Sequence, residues 1–126
     1  MALDVLIVDD SAAIRKILQR VLVQANVGIG KIIEANDGRE GLERMTAENV
    51  GLVFSDINMP NMDGLEFLQL IRANPNWKNV PVVMVTTEGS QDKVFQALQM
   101  GASGYVKKPF TPEQIREKLG TIGCAA

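Results

Sequence analysis

Histidine is absent from this chain of 126 residues, and cysteine occurs once. Without an imidazole there is no His general base, no triad built on one and no His-ligated metal. The lone Cys124 lies in a small-residue tail and cannot close an intramolecular disulfide, so a reducing, cytoplasmic setting is expected. Aromatic side chains make up 5% of the chain, few for wrapping a flat cofactor. No apolar run approaches the roughly 18 residues of a membrane span, and the N-terminus lacks the charged start and apolar stretch of a secretion signal. No membrane partner is therefore expected. A surplus of positive charge is also missing: 13 Lys and Arg face 15 Asp and Glu, a formal charge of -2. Nucleic acid is not an expected partner either, for want of a basic surface. Chemistry here must run on oxygen ligands and amines.

What is present suits one folded domain, residues 1–126. Hydrophobic residues at 46% and charged residues at 22% set the chain apart from disordered sequences. Four nearly continuous apolar runs, Val5 to Val8, Ile32 to Ile33 with Ala35 nearby, Leu52 to Phe54 and Val82 to Val85, read as strands buried on both faces. A shorter fifth run is Tyr105 to Val106.

Helical periodicity fills the gaps between these runs. Ile14, Ile17, Leu18, Val21, Leu22 and Ala25 trace one face of a helix that Ser11 can cap. Leu42 and Met45 mark a second helix, begun by Asp37 with Glu40 three residues on. Leu65, Leu68 and Ile71 mark a third, begun after Asp63 and Gly64 and stopped by Asn74 and Pro75. The fourth carries Val94, Ala97 and Leu98 and stops at Gly101. Thr111, Pro112 and Gln114 start the fifth, which carries Ile115, Leu119 and Ile122. Strand then helix, five times over, predicts an α/β fold: a mainly parallel, doubly wound sheet with helices on both faces. Five such units are expected to take up the 126 residues, so no DNA-binding or catalytic appendage is expected among them.

Ligands of open parallel sheets sit beyond the carboxyl ends of the strands, so the residues just after each apolar run carry the most information. Asp9 and Asp10 follow the first run and Ser55 and Asp56 the third. Thr86, Thr87 and Glu88 follow the fourth; Lys107, Lys108 and Pro109 follow the fifth. Each alone has an ordinary explanation: an acid as turn or cap, a threonine as strand residue, lysines as solvated charge, Met59 and Met62 as gap fillers. Together they do not. Two carboxylates about 4 Å apart repel by roughly 4 kcal/mol at an effective dielectric near 20, so clustered acids need a counter-charge. Oxygen-only ligands favour a hard divalent cation, Mg2+ above others, and disfavour zinc. A carboxylate on Mg2+ opposite a lysine is an arrangement that accepts a phosphoryl group.

At these residues the chain resembles the receiver domains of two-component response regulators, most closely the stand-alone chemotaxis type. The matching stretches are LIVDDS at 6–11, FSDINMPNMDG at 54–64, VVMVTTEG at 82–89 and GASGYVKKPFT at 101–111. The resemblance implies a flavodoxin-like, five-stranded sheet in order 2-1-3-4-5 with five helices, and a single receiver domain without an effector domain. It implies that Asp56 takes the phosphoryl group from a sensor histidine kinase. Asp10, Asp56 and the carbonyl of Asn58 would contact Mg2+, with Asp9 reaching it through water. Lys108 would hold a phosphoryl oxygen, with a cis peptide to Pro109. Thr86 and Tyr105 would be the switch pair, and the surface of the fourth helix, fifth strand and fifth helix the docking face for a downstream protein. Asn58 and Glu88 match positions that tune autodephosphorylation, giving a short-lived phosphoryl group moderated by the bulky Thr87. Ile57 departs from the family's chemotaxis type, which carries tryptophan there; Trp77 is the only tryptophan and lies before the fourth strand.

Two other classes are weighed against this expectation. An aspartyl-nucleophile phosphohydrolase needs a DxDxT pattern, whereas Ser11 and Ala12 follow the acid pair. A flavodoxin-like binding module needs a hydroxyl-rich phosphate loop after the first strand, whereas the loop here is acidic. A receiver that no longer takes phosphate is disfavoured because the acids, Thr86 and Lys108 are all present.

Overall fold

The computed structural model describes residues 3–26, 28–86, 91–108 and 110–121. Its elements alternate without exception along the chain: β1 (Leu3–Val8), α1 (Ala12–Ala25), β2 (Ile29–Ala35), α2 (Gly38–Ala47), β3 (Leu52–Asp56), α3 (Gly64–Ala73), β4 (Val82–Thr86), α4 (Gln91–Gln99), β5 (Gly104–Lys107) and α5 (Pro112–Thr121). The strands pair in parallel in the order β2-β1-β3-β4-β5. The doubly wound order expected from the resemblance is thus the order found. The second strand is longer than its short apolar run suggested, because Ile29 and Lys31 also lie along β1.

Side chains alternate across the strands and build a core on each face of the sheet. Val5 and Ile7 of β1, Leu52 and Phe54 of β3, and Val83 and Val85 of β4 pack with Leu18, Leu22, Ile115 and Leu119 of α1 and α5. On the opposite face Leu6, Val8, Val53, Val82 and Met84 pack with Met45, Phe67, Leu68, Ile71, Val94 and Ala97 of α2, α3 and α4. Burial on both faces explains why the strand sequences are apolar runs without a polar alternate. Ile17 and Leu98 depart from the expected apolar faces, being 46% and 41% exposed. Each sits at the edge of a stripe whose centre the neighbouring residues fill.

The helix starts follow the local chemistry. Ser11 Oγ accepts from the Ile14 amide at 3.3 Å, and Asp37 Oδ1 accepts from the Glu40 amide at 2.9 Å. Thr111 and Gln114 exchange reciprocal bonds of 3.0 and 3.2 Å, a complete capping box. At the far end of α4, Gly101 adopts φ +104°, a conformation that side-chain-bearing residues rarely adopt. The peptide to Pro109, the positions Thr87, Glu88 and Ile122, and Cys124 lie outside the described residues.

Candidate functional site: an acidic pocket with one lysine

The order β2-β1-β3 makes the chain wind away from β1 in both directions, which opens a crevice at the carboxyl ends of β1 and β3. Register decides what faces it. Val8 of β1 lies opposite Ser55 of β3, so Asp9 and Asp56 leave the sheet side by side. Asp9, Asp10 and Asp56 each offer a carboxylate oxygen, and these atoms lie within 4.8 Å of one another. They differ in exposure: Asp9 is buried, Asp56 half-buried and Asp10 exposed. The pocket is therefore deep at Asp9 and open at Asp10.

Backbone bonds fix the acids. The Asp9 amide donates to Ala35 of β2 at 3.1 Å, and Asp9 Oδ1 accepts from the Ser11 amide at 2.9 Å. Arg15 of α1 donates from Nη1 to the Asp9 carbonyl at 2.5 Å and to Asn36 Oδ1 at 3.0 Å, while its Nε pairs with Glu34 at 2.9 Å. Asp56 Oδ1 accepts from the Ile57 amide at 2.8 Å. Its second oxygen is left for the pocket.

Among the described residues one side-chain cation, just past β5, pairs with two of the three acids. Lys108 Nζ lies 3.1 Å from Asp9 Oδ2 and 3.8 Å from Asp56 Oδ2. Its amide donates to the Thr86 carbonyl at 2.7 Å, which extends the β4·β5 ladder and aims the lysine at β1 and β3. Lys107, the neighbour, is exposed. One ammonium does not balance three carboxylates, and Asp56 records the deficit: burial first, then the charge of Asp9, push its carboxyl above the ordinary carboxylate range. The charge of Lys108 and the Ile57 N–H oppose that rise, and Asp10 adds to it. The donor set is oxygen only, partly open to solvent and short of positive charge, and it fits a hard divalent cation such as Mg2+.

Around the pocket, Thr86 ends β4 with its side chain buried. Tyr105 of β5 is half-buried and carries Lys118 of α5 over its ring, Nζ 5.4 Å from the centroid. Beside it a groove of about 290 Å³ is lined by Tyr105, Lys107, Gln114, Glu117 and Lys118. Asn58 is exposed, two residues past Asp56, and its Oδ1 accepts from Lys93 of α4 at 2.5 Å.

Three residues escape sequence reasoning. Arg15 carries no motif; only its position one turn into α1 hints that it could reach back to Asp9. Lys93 is separated from Asn58 by 35 residues, and no local pattern signals their meeting. Gly64 reads as a turn residue, yet a Cβ there would collide with the Asp56 carbonyl oxygen.

A receiver-type sheet, an acid triplet at the β1 and β3 ends and a lysine after β5 define one class of protein. The chain belongs to the response regulator receiver domain family, whose model matches residues 5–120. Within that family it is 39% identical over 118 residues to the chemotaxis protein CheY homolog of Campylobacter jejuni, covering 93% of this chain and 89% of that one. Among solved structures it superposes on the chemotaxis response regulator CheY4 of Vibrio cholerae with a TM-score of 0.84, 36% identity, and coverage of 97% and 99% of the two chains. The receiver domain of AraT, a response regulator from Geobacillus stearothermophilus, gives 0.85 at 29% identity, covering 97% of this chain and 93% of that one. The chain is thus a CheY-type receiver, a two-component signalling protein. No helix among the described residues is long and apolar enough to cross a membrane.

Proposed function

We propose that the chain is a stand-alone response regulator that accepts a phosphoryl group on Asp56 from a sensor histidine kinase, in a Mg2+-dependent reaction. The observation that carries this reading is the convergence of three carboxylate oxygens within 4.8 Å of one another, with Lys108 against two of those acids. Asp10, Asp56 and the carbonyl of Asn58 would hold the cation, with Asp9 behind them. When bound, Mg2+ neutralises charge on the transferred group.

This chain's residues supply the rest. Asp56 attacks phosphorus through the oxygen that the Ile57 N–H does not occupy; the bond from phosphorus to the donor's nitrogen or oxygen breaks, and the donor leaves with that electron pair. Lys108 stands 3.8 Å from Asp56 Oδ2, within reach of an incoming phosphoryl oxygen. Its bond to Asp9 keeps it there. Before transfer, charge of about -3 on the acids meets about +3 from Mg2+ and Lys108; an aspartyl phosphate then replaces one carboxylate's -1 with roughly -1.5 to -2 of phosphoryl charge and brings new acceptor oxygens. Thr86, at the end of the adjacent strand, would donate to one of them. Its inward movement would leave space that Tyr105 fills, remodelling the α4-β5-α5 surface for a downstream protein. Catalysis is confined to the chain's own aspartate: phosphorylation and autodephosphorylation, tuned by Asn58, Thr87 and Glu88.

Intact mass tests the reading. After incubation with acetyl phosphate and Mg2+, the wild-type chain should gain one phosphoryl group, while Asp56→Asn, or the wild type in EDTA, should gain none. A gain of equal size in EDTA would remove the metal from the account; a gain in Asp56→Asn would move the acceptor elsewhere.

A further inference from the structure

We propose that Lys93 is a positioning residue for this site: it holds the Asn58 amide with its oxygen turned toward α4, and so sets how long a phosphoryl group on Asp56 survives. The inference rests on the phosphoacceptor reading above. Lys93 lies in the first turn of α4 and is exposed, and its Nζ donates to Asn58 Oδ1 at 2.5 Å. An ammonium has three donors and no acceptor, so only the oxygen of an amide can face it. The bond therefore fixes which end of Asn58 is engaged. What it leaves for other partners is the pair of N–H donors and one lone pair of the oxygen.

Asn58 stands two residues after Asp56 on the loop that leaves β3. Loss of the phosphoryl group requires a water in line with the bond from Asp56 to phosphorus. The water oxygen attacks phosphorus, the Asp56 carboxylate leaves with the electron pair of the broken P–O bond, and the water's proton goes to solvent or to the released inorganic phosphate. An amide oxygen can orient such a water by accepting from it; amide N–H groups cannot. With Lys93 on Oδ1 one of the oxygen's two lone pairs is taken and the amide is held toward α4, so it is less able to orient that water and hydrolysis is slowed. The same residue pair joins the loop of the acid pocket to α4, which no sequence-local contact does.

The test uses the full chain, loaded with acetyl phosphate and Mg2+, freed of donor, and followed by intact mass as the phosphoryl group decays. Lys93→Met should decay about three- to tenfold faster, the range expected for losing one hydrogen bond. Lys93→Arg, which also only donates, should stay within about twofold of wild type. In an Asn58→Ala background, Lys93→Met should change the decay by less than about twofold, because the two residues act as one unit. Decay unchanged in Lys93→Met, or accelerated as strongly without Asn58 as with it, would overturn the proposal. A wild-type chain that takes no phosphoryl group would instead overturn the reading on which it rests, and this inference with it.

Discussion

Asp56 is where burial and charge pull a single group away from its ordinary chemistry. Its carboxyl is raised in the folded chain, so folding is opposed by its ionisation: the penalty is absent below the usual carboxylate range and fully present above the raised value. Stability should therefore fall as pH rises through that window. Asp56→Asn removes the charge while keeping the shape. In EDTA at neutral pH the variant should melt a few degrees above wild type, and the difference should vanish near pH 3. Equal melting temperatures at neutral pH would mean that solvent already relieves the cluster. At this scale much was legible: Asp9, Asp10, Asp56 and Lys108 each follow an apolar run, and parallel strands bring their carboxyl ends to one edge. Arg15 and Lys93 were not. Their partners, the Asp9 carbonyl and the Asn58 amide, are groups that any residue type or any loop can present, so nothing in the spacing marks them.

Among the elements, the start of α3 sits closest to the chemistry. Asp63 caps the helix by accepting from the Glu66 amide at 2.9 Å, and Gly64 donates to the Ile57 carbonyl at 2.7 Å. The helix thus begins directly against the end of β3, and Gly64 is required because its missing Cβ is the space that the Asp56 carbonyl occupies. Gly64→Ala should cost about 2–3 kcal/mol by forcing backbone apart in a packed region, read as a shift in the urea midpoint. A midpoint within experimental error of wild type would contradict the close approach. The sequence signals for the elements were strong where chemistry is local, as in the capping pairs of Ser11, Asp37 and Thr111. They were weak where tertiary contact decides: β2 extends past its apolar residues because β1 offers it a partner, and Ile17 faces outward although its spacing fits the buried stripe.

For the molecule as a whole, the arrangement separates the proposed place of modification from the proposed place of output. Asp56 ends β3, the central strand of the sheet, whereas Tyr105, Lys118 and the groove beside them lie on the outer strand and α5, with exposed Phe95 on α4. The connection between them runs through β4, whose Thr86 pairs with Lys107 in register and whose carbonyl holds the Lys108 amide. Loading the chain with beryllofluoride and Mg2+ should shift the amide NMR signals of Thr86, of α4 and of β5 through the start of α5. Shifts confined to the β1 and β3 ends would disconnect the site from that surface. The alternation of strand and helix already specified this layered plan, because buried parallel strands and short loops leave few other arrangements.

The central claim, that the acid cluster exists to load phosphorus onto one aspartate, is tested most directly by trapping the bond. Treating the acetyl phosphate-loaded chain with borohydride converts an aspartyl phosphate to homoserine, which peptide mass spectrometry can map. Homoserine at position 56, formed only when Mg2+ was present, is the predicted result; homoserine at another acid, or at none while the chain carries phosphate, would contradict it.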